Sequence, residues 1–352
     1  MNSRLPITAA CLMAMLGVGC AVYKVGPTPE SDAQLRAIAY LSREVPAWNT
    51  EHKCFSCHNN GDAAAALLWA SPMHRIDLAI SIHPTMDWLS RPQDWHENKG
   101  DPAYSDFKLA RLQFGGALAN ANNRHWITDR KPLLEAARQI ALDQDADGSW
   151  KIEADSSPGS PVTYGNALAT IKAASILRVA EASAFEVNIK KAAAWLRDVP
   201  LKNIPTAASV AMWFGQSEPY GDPKIGRPAL DYLRQAQSTT TGGWGPYPGS
   251  PTESFDTSLA IMAMDFFPDD RDASRRAKLG RRYLVSEQLP EGGWPETTRP
   301  SGDESYAQHI STTAWALMAL IPPSEIRPLT LPGDEIIVLQ TEPARSSPRS
   351  AR

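Results

Sequence analysis

From about residue 33 to residue 322 the chain alternates two kinds of helical stretch. One kind keeps its apolar residues at helical spacing on a single face, as in EAARQIALDQDADGSW, PALDYLRQAQSTTTGGW and GRRYLVSEQLPEGGW, which end at Trp150, Trp244 and Trp294. The other kind, GNALATIKAASIL, FDTSLAIMAMDFF and STTAWALMALI, carries small or apolar residues on nearly every turn. A one-faced stripe predicts a helix at a surface, and apolar character around most of the circumference predicts a buried one. Each surface helix ends in a Gln, a short polar turn with Gly and a Trp, and a Pro- and Ser-rich loop then leads to its buried partner. Weaker copies of the pair fill the remaining chain: VNIKKAAAWLRDV with PTAASVAMWFG, IDLAISIHPTMDWLSRPQDW with SDFKLARLQFGGALANA, and AQLRAIAYLSREV with GDAAAALLWA. Six hairpins with Ala-rich inner members predict an all-α fold, a closed α/α toroid over residues 22–322, because closing the ring buries every inner helix. Residues 323–352 are polar and Pro-rich without a period and predict a flexible tail, within which EIIVLQ could dock as an extended segment.

The first 21 residues follow a different pattern. Arg4 precedes an apolar run from Leu5 to Val18, which is short for a bilayer span and predicts an export signal. Two endings fit: cleavage after Ala21, with Gly19 and Ala21 as the small residues, or lipidation of Cys20 in LGVGC, where Gly17 departs from the usual lipoprotein pattern. The expected location is therefore outside the cytoplasm, periplasmic or membrane-anchored, with a lipid on Cys20 as the membrane contact. Charge narrows the partners further. The 352 residues carry a formal net charge of -4, with Lys and Arg scattered and no basic stripe, which argues against nucleic acid.

Four cysteines are present; Cys11 leaves with the signal and Cys20 is removed or acylated, so the folded body holds Cys54 and Cys57. With His58 they spell Cys-x-x-Cys-His, the attachment signal for covalent haem c, in which two thiols bond the vinyl groups and the His ligates the iron. This predicts Cys54, Cys57 and His58 as a haem site serving redox chemistry or electron transfer with a redox partner. Met73, His74, His83 and Met86 are candidates for the iron's other face. Three other uses of the pair stay open: zinc with His58 or His52, a disulfide or redox dithiol, or no cofactor.

The Gln-to-Trp turns at Gln144–Trp150, Gln237–Trp244 and Gln288–Trp294 resemble the QW repeats of the squalene-hopene cyclase and protein prenyltransferase superfamily. FDTSLAIMAM and ISTTAWALMAL resemble its inner helices. The likeness is clear over residues 130–322 and loose over 33–129. It implies an α/α ring, structural roles for Trp150, Trp244 and Trp294, and a hydrophobic or isoprenoid ligand. Hopene cyclases protonate an alkene with an Asp-x-Asp-Asp motif; the nearest match is Glu253-Ser254-Phe255-Asp256-Thr257, with one Asp. Asp256 is thus a candidate acid. It also stands at a helix start, one residue from the slot that aligned hairpins fill with Asn166, Thr206 and Thr313, where such residues cap backbone N–H groups. Asp269, Asp270 and Asp272 read as a solvated loop. The prenyltransferase zinc site does not carry over, since the cysteines lie outside the repeats. Three functions follow: a haem-bearing redox protein acting on a hydrophobic ligand, a terpenoid cyclase or isoprenoid-processing enzyme with Asp256 as acid, and a scaffold binding a lipid or protein.

Overall fold

The computed structural model describes residues 28–74, 79–97, 107–152, 158–216, 221–299 and 301–323. The export signal with Cys11 and Cys20, and the tail beyond residue 323, lie outside the described residues. Twelve α-helices and no strand occur among the described residues, and they pair as the hydrophobic pattern predicts. The outer members are α1 (Pro29–His52), α3 (Ala79–Leu89), α5 (Lys131–Leu142), α7 (Glu186–Asp198), α9 (Pro223–Ala236) and α11 (Arg271–Glu287). Their inner partners are α2 (Ala64–His74), α4 (Phe107–Asn123), α6 (Asn166–Glu181), α8 (Ile204–Phe214), α10 (Ser254–Asp265) and α12 (Tyr306–Leu320). Each inner helix packs on the next, and α12 packs on α2, so the inner layer closes into a ring. Outside it α1 contacts both α3 and α11, which joins the last hairpin to the first.

Burial follows the two patterns. α8 and α10 are buried along nearly their whole length, including Ser209, Ser254, Thr257 and Ser258. Hydroxyls tolerate that interior because they bond back to their own helix: Ser209 to the Pro205 carbonyl at 2.7 Å, Ser258 to Ser254 at 2.6 Å. α5, α9 and α11 bury one stripe and leave the opposite face to charged residues.

The Gln-to-Trp turns are staples between three helices. Each indole N–H donates to a carbonyl of the outer helix just finished: Trp150 to Ile140 at 2.7 Å, Trp244 to Leu233 at 2.7 Å and Trp294 to Leu284 at 2.6 Å. Each Trp backbone N–H donates to a threonine hydroxyl of the inner helix that follows, Thr170, Thr257 or Thr313. Thr170, rather than Asn166, is therefore the counterpart of Thr257 and Thr313; the sequence alignment is off by one helical turn in that hairpin. Each Gln amide donates to the turn's glycine carbonyl and to the next outer helix: Gln144 to Asn188, Gln237 to Arg276 and Gln288 to Ala33. Gly148, Gly242 and Gly292 sit at φ +95°, +79° and +103°, where only glycine is unstrained, and a Cβ on Gly148 would come within 2.5 Å of the Lys191 carbonyl. Glycine is what lets the turn touch its neighbour.

Hairpin one replaces this staple with something else. After α1 ends at His52, the chain enters a π-helix, Cys57–Ala63, that runs directly into α2. Ser56 caps it, accepting from the N–H groups of His58 and Asn59. Inside it Gly61 lies so close to α4 that a Cβ would sit 2.8 Å from the Cβ of Gln113. Wide turns of this kind re-aim side chains, and they concentrate at functional sites.

Candidate functional site

The π-helix brings His58 and Asp62 into the ring wall between α4 and α12. His58 Nδ1 lies 3.0 Å from Ser311 Oγ and 3.3 Å from Gln113 Nε2. Gln113 Nε2 also donates to Asp62 Oδ2 at 2.8 Å, and the Tyr164 hydroxyl donates to Asp62 Oδ1. Asp62, Gln113 and Tyr164 are sealed from solvent. Lys172 reaches inward from α6 and places its ammonium 5.3 Å from the ring centre of Trp315, on the opposite side of the ring in α12. Tyr164 and Phe255 both meet Trp315 edge-on, at 5.8 and 6.0 Å. The ring interior thus holds a polar chain, His58–Gln113–Asp62–Tyr164, beside an aromatic group that carries Lys172.

Burial sets the protonation of this cluster. Desolvation pushes the His58 imidazole below its usual range, against the pull of Asp62, so it is neutral at pH 7. It pushes the Lys172 ammonium down as well, with Asp62 again opposing. Burial first, and then the Asp62 charge, raise the Tyr164 phenol well above its usual range and keep it a donor. His58 and Lys172 each remain partly exposed. A cavity of about 260 Å³ between hairpins three and four is lined by Tyr164 and Leu168 on one side and Trp195, Val199 and Pro205 on the other.

Of the cysteines, Cys57 opens the π-helix and acts electrostatically on Tyr164, whereas Cys54 lies before it. Cys54 is 2% exposed and Cys57 is half-buried, and they are not joined in a disulfide. Phe55 between them stacks on Trp88 at 4.6 Å and fixes the turn. A porphyrin joined to both sulfurs and ligated by His58 needs the three groups on one open slot. Here Cys54 is sealed while His58 faces the ring interior, so the described conformation does not fit a covalent haem; attachment would require residues 53–57 to open. Among the residues read as sixth ligands, Met86 follows Thr85, which accepts from Asn60 Nδ2 of the π-helix at 2.8 Å. His83 is exposed beside Asp87, and Met73 lies ~20 Å along the helix from His58. His74 also ends α2, with its side chain outside what is described. Among the described residues no group of three His, Cys, Asp or Glu side chains is placed to hold a metal ion, so the zinc reading gains no ligands.

Asp256 occupies the first turn of α10, but Glu253 is the N-cap residue there and makes no side-chain cap bond. Asp256 is fully buried and faces Arg299, whose Nη2 lies 3.1 and 3.3 Å from its two oxygens. Arg299 is shared: its Nη1 pairs with Glu253 and its Nη2 also donates to the Gly159 carbonyl at 3.0 Å. Desolvation is the largest influence and outweighs the Arg299 attraction, so the Asp256 carboxyl is pushed up to about 7. The same contacts tie the loops around residues 159, 253 and 299 to one end of the ring, which the Cys57–Ala63 segment shares through Tyr164 and Asp62. Of the residues read from sequence as a solvated loop, Asp270 caps α11 and pairs with Arg227 and Arg234, and Asp272 stands in the first turn of α11 and pairs with Arg275 and Arg276.

Sequence reading missed Asp62, Gln113, Tyr164, Lys172 and Arg299. One signal was available: Lys172 is the single charge in GNALATIKAASIL, an otherwise apolar inner helix. Another was the four-residue spacing of His58 and Asp62, which puts both on one helix face.

No protein-family model matches the chain. Among curated proteins it is 30% identical to lanosterol synthase of Candida albicans over 97 residues, which is 26% of this chain and 13% of that enzyme's length. Among solved structures it resembles the type II terpene cyclase MstE from Scytonema in its apo form, with TM-score 0.53, 13% identity, and cover of 85% of this chain and 99% of that one. An Arg-to-Ala variant of that cyclase in complex with its substrate geranylgeranyl dihydroxybenzoate gives TM-score 0.53 and 13% identity over 83% and 96% of the two chains. The fold is the α/α toroid of the terpene cyclases.

Proposed function

We propose that the chain is an isoprenoid-processing enzyme of the terpenoid cyclase kind, in which Asp256 donates a proton to an alkene held within the ring. The observation that carries the reading is the Asp256 carboxyl, sealed in the wall of a terpene-cyclase ring and pushed up to about 7. At neutral pH about half of such carboxyls hold their proton. When the proton moves to the terminal carbon of the alkene, the π electrons form the new C–H bond and the adjacent carbon becomes cationic. The carboxylate left behind is stabilised by Arg299, an attraction that grows only as the negative charge appears. Aromatic faces suit the cation, and Phe255, Tyr164 and Trp315 supply them in the interior. His58, neutral at pH 7 and partly exposed, suits the final proton removal that yields an alkene.

The cavity beside Tyr164 supports entry between hairpins three and four. MstE, the structural neighbour, binds an isoprenoid substrate in its own ring fold, which agrees with a substrate of that class here. The export signal read at residues 1–21 would place the chemistry outside the cytoplasm. Turnover of a polyprenoid to a cyclised isomer by the mature chain, lost by at least a hundredfold in Asp256→Asn, is the expected result; an Asp256→Asn protein with full turnover would remove Asp256 as the acid.

A further inference from the structure

Lys172 has no place in that proton-transfer scheme. Its stem crosses from α6 onto α4, where Gly116 leaves room for it: a Cβ on Gly116 would stand 2.3 Å from Lys172 Cε and 2.8 Å from Nζ. The ammonium then ends over Trp315 on the far side of the ring. Both oxygens of Asp62, the nearest carboxylate influence, are engaged by Tyr164 and Gln113. Among the described residues none accepts a hydrogen bond from Lys172 Nζ. Lys172 is partly exposed, so its N–H donors are open to water or to an acceptor on a ligand that displaces that water.

The charges decide what that acceptor is. Asp62 already balances Lys172 inside the cluster, so a ligand bearing a full negative charge would leave the interior with an excess, whereas a neutral oxygen would satisfy the donors and keep the balance. Trp315, with Phe255 edge-on to it, supplies the apolar side of this point, and the neighbouring polar groups Asp62 and Tyr164 are already bonded to each other. A ligand must therefore be apolar apart from the one oxygen.

We propose that Lys172 is a binding group for a carbonyl oxygen, and that the molecule taken into the ring is an isoprenoid carrying a neutral carbonyl rather than a plain hydrocarbon or an acid. This rests on the reading that the ring holds an isoprenoid. Lys172 fixes the orientation of the molecule by one end; the bond is non-covalent and reversible.

The test is a binding series by titration calorimetry on the full mature chain. It compares an isoprenoid ketone such as farnesylacetone, an isoprenoid hydrocarbon such as farnesene, and farnesoic acid. In the wild type the ketone is expected to bind about tenfold more tightly than either of the others, the size of one good hydrogen bond. Lys172→Met, matched in length and apolar, is expected to bind ketone and hydrocarbon alike, and Lys172→Arg to keep the ketone preference. Should Lys172→Met fail to fold by circular dichroism, the wild-type series alone decides. A wild type that binds the hydrocarbon or the acid as tightly as the ketone overturns the assignment and leaves the isoprenoid reading standing. A wild type that binds none of the three overturns both.

Discussion

Gln288, at the end of the last outer helix, donates its side-chain amide to the carbonyl of Ala33 in the first outer helix at 2.9 Å, across 255 residues of sequence. Gln144 and Gln237 make the same bond to the next helix in line, so ring closure reuses the bond that builds each step of the ring. Replacing Gln288 with Ala removes this bond and the one to Gly292 and is expected to cost about 1–3 kcal/mol. Amide exchange should quicken in α1. The equivalent Gln237→Ala should lose similar stability in a urea melt while leaving α1 exchange unchanged; equal effects on α1 would show that Gln288 has no special part in closure.

The repeat pattern made the ring readable because it is written in local sequence: one-faced helices, all-apolar helices, and a Gln-to-Trp turn whose every residue bonds a neighbour. The site was harder to read. Asp62, Gln113, Tyr164 and Lys172 come from three successive hairpins, and each alone is an ordinary residue; packing of those hairpins brings them together, and ring closure adds Ser311 and Trp315 from α12. The Cys-x-x-Cys-His string has the opposite character, a strong local signal whose geometry depends on what packs against it. Trp88 packs on the turn, Cys54 is sealed, and His58 turns to Ser311 and Gln113 instead.

Asp256 gives stability a measurable pH dependence. Its ordinary value of 3.8 applies to the unfolded chain and about 7 to the folded one. Between these values the folded state holds the proton and the unfolded state does not, so the contribution is full below pH 4 and is lost as pH rises through 7. The difference amounts to roughly 4 kcal/mol at its upper end. Urea midpoints measured from pH 4 to pH 8 should therefore fall more steeply in the wild type than in Asp256→Asn, and identical slopes would mean that the carboxyl is not held up by burial.

Gly61 tests the packing that sets the polar chain. A methyl group there would meet Gln113 at 2.8 Å, so Gly61→Ala should destabilise by about 1–3 kcal/mol and push Gln113 away from Asp62. A fully stable Gly61→Ala protein would show that the π-helix can move off α4 at little cost.

Haem offers a yes-or-no measurement. The mature chain expressed with a cytochrome c maturation system should be colourless after acid-acetone extraction, because Cys54 is sealed. A covalent Soret band, abolished by replacing Cys54 and Cys57 with Ala, would show that residues 53–57 open to accept the group and would restore the redox reading.

Proton delivery to an alkene is the central claim, and deuterium tracks it directly. The mature chain is incubated with a polyprenoid in D2O and the product is examined by mass spectrometry. A cyclised isomer carrying one deuterium, at the carbon that received the proton, and absent with Asp256→Asn, is the predicted result. A product without deuterium, or no cyclised product from any polyprenoid offered, would contradict it.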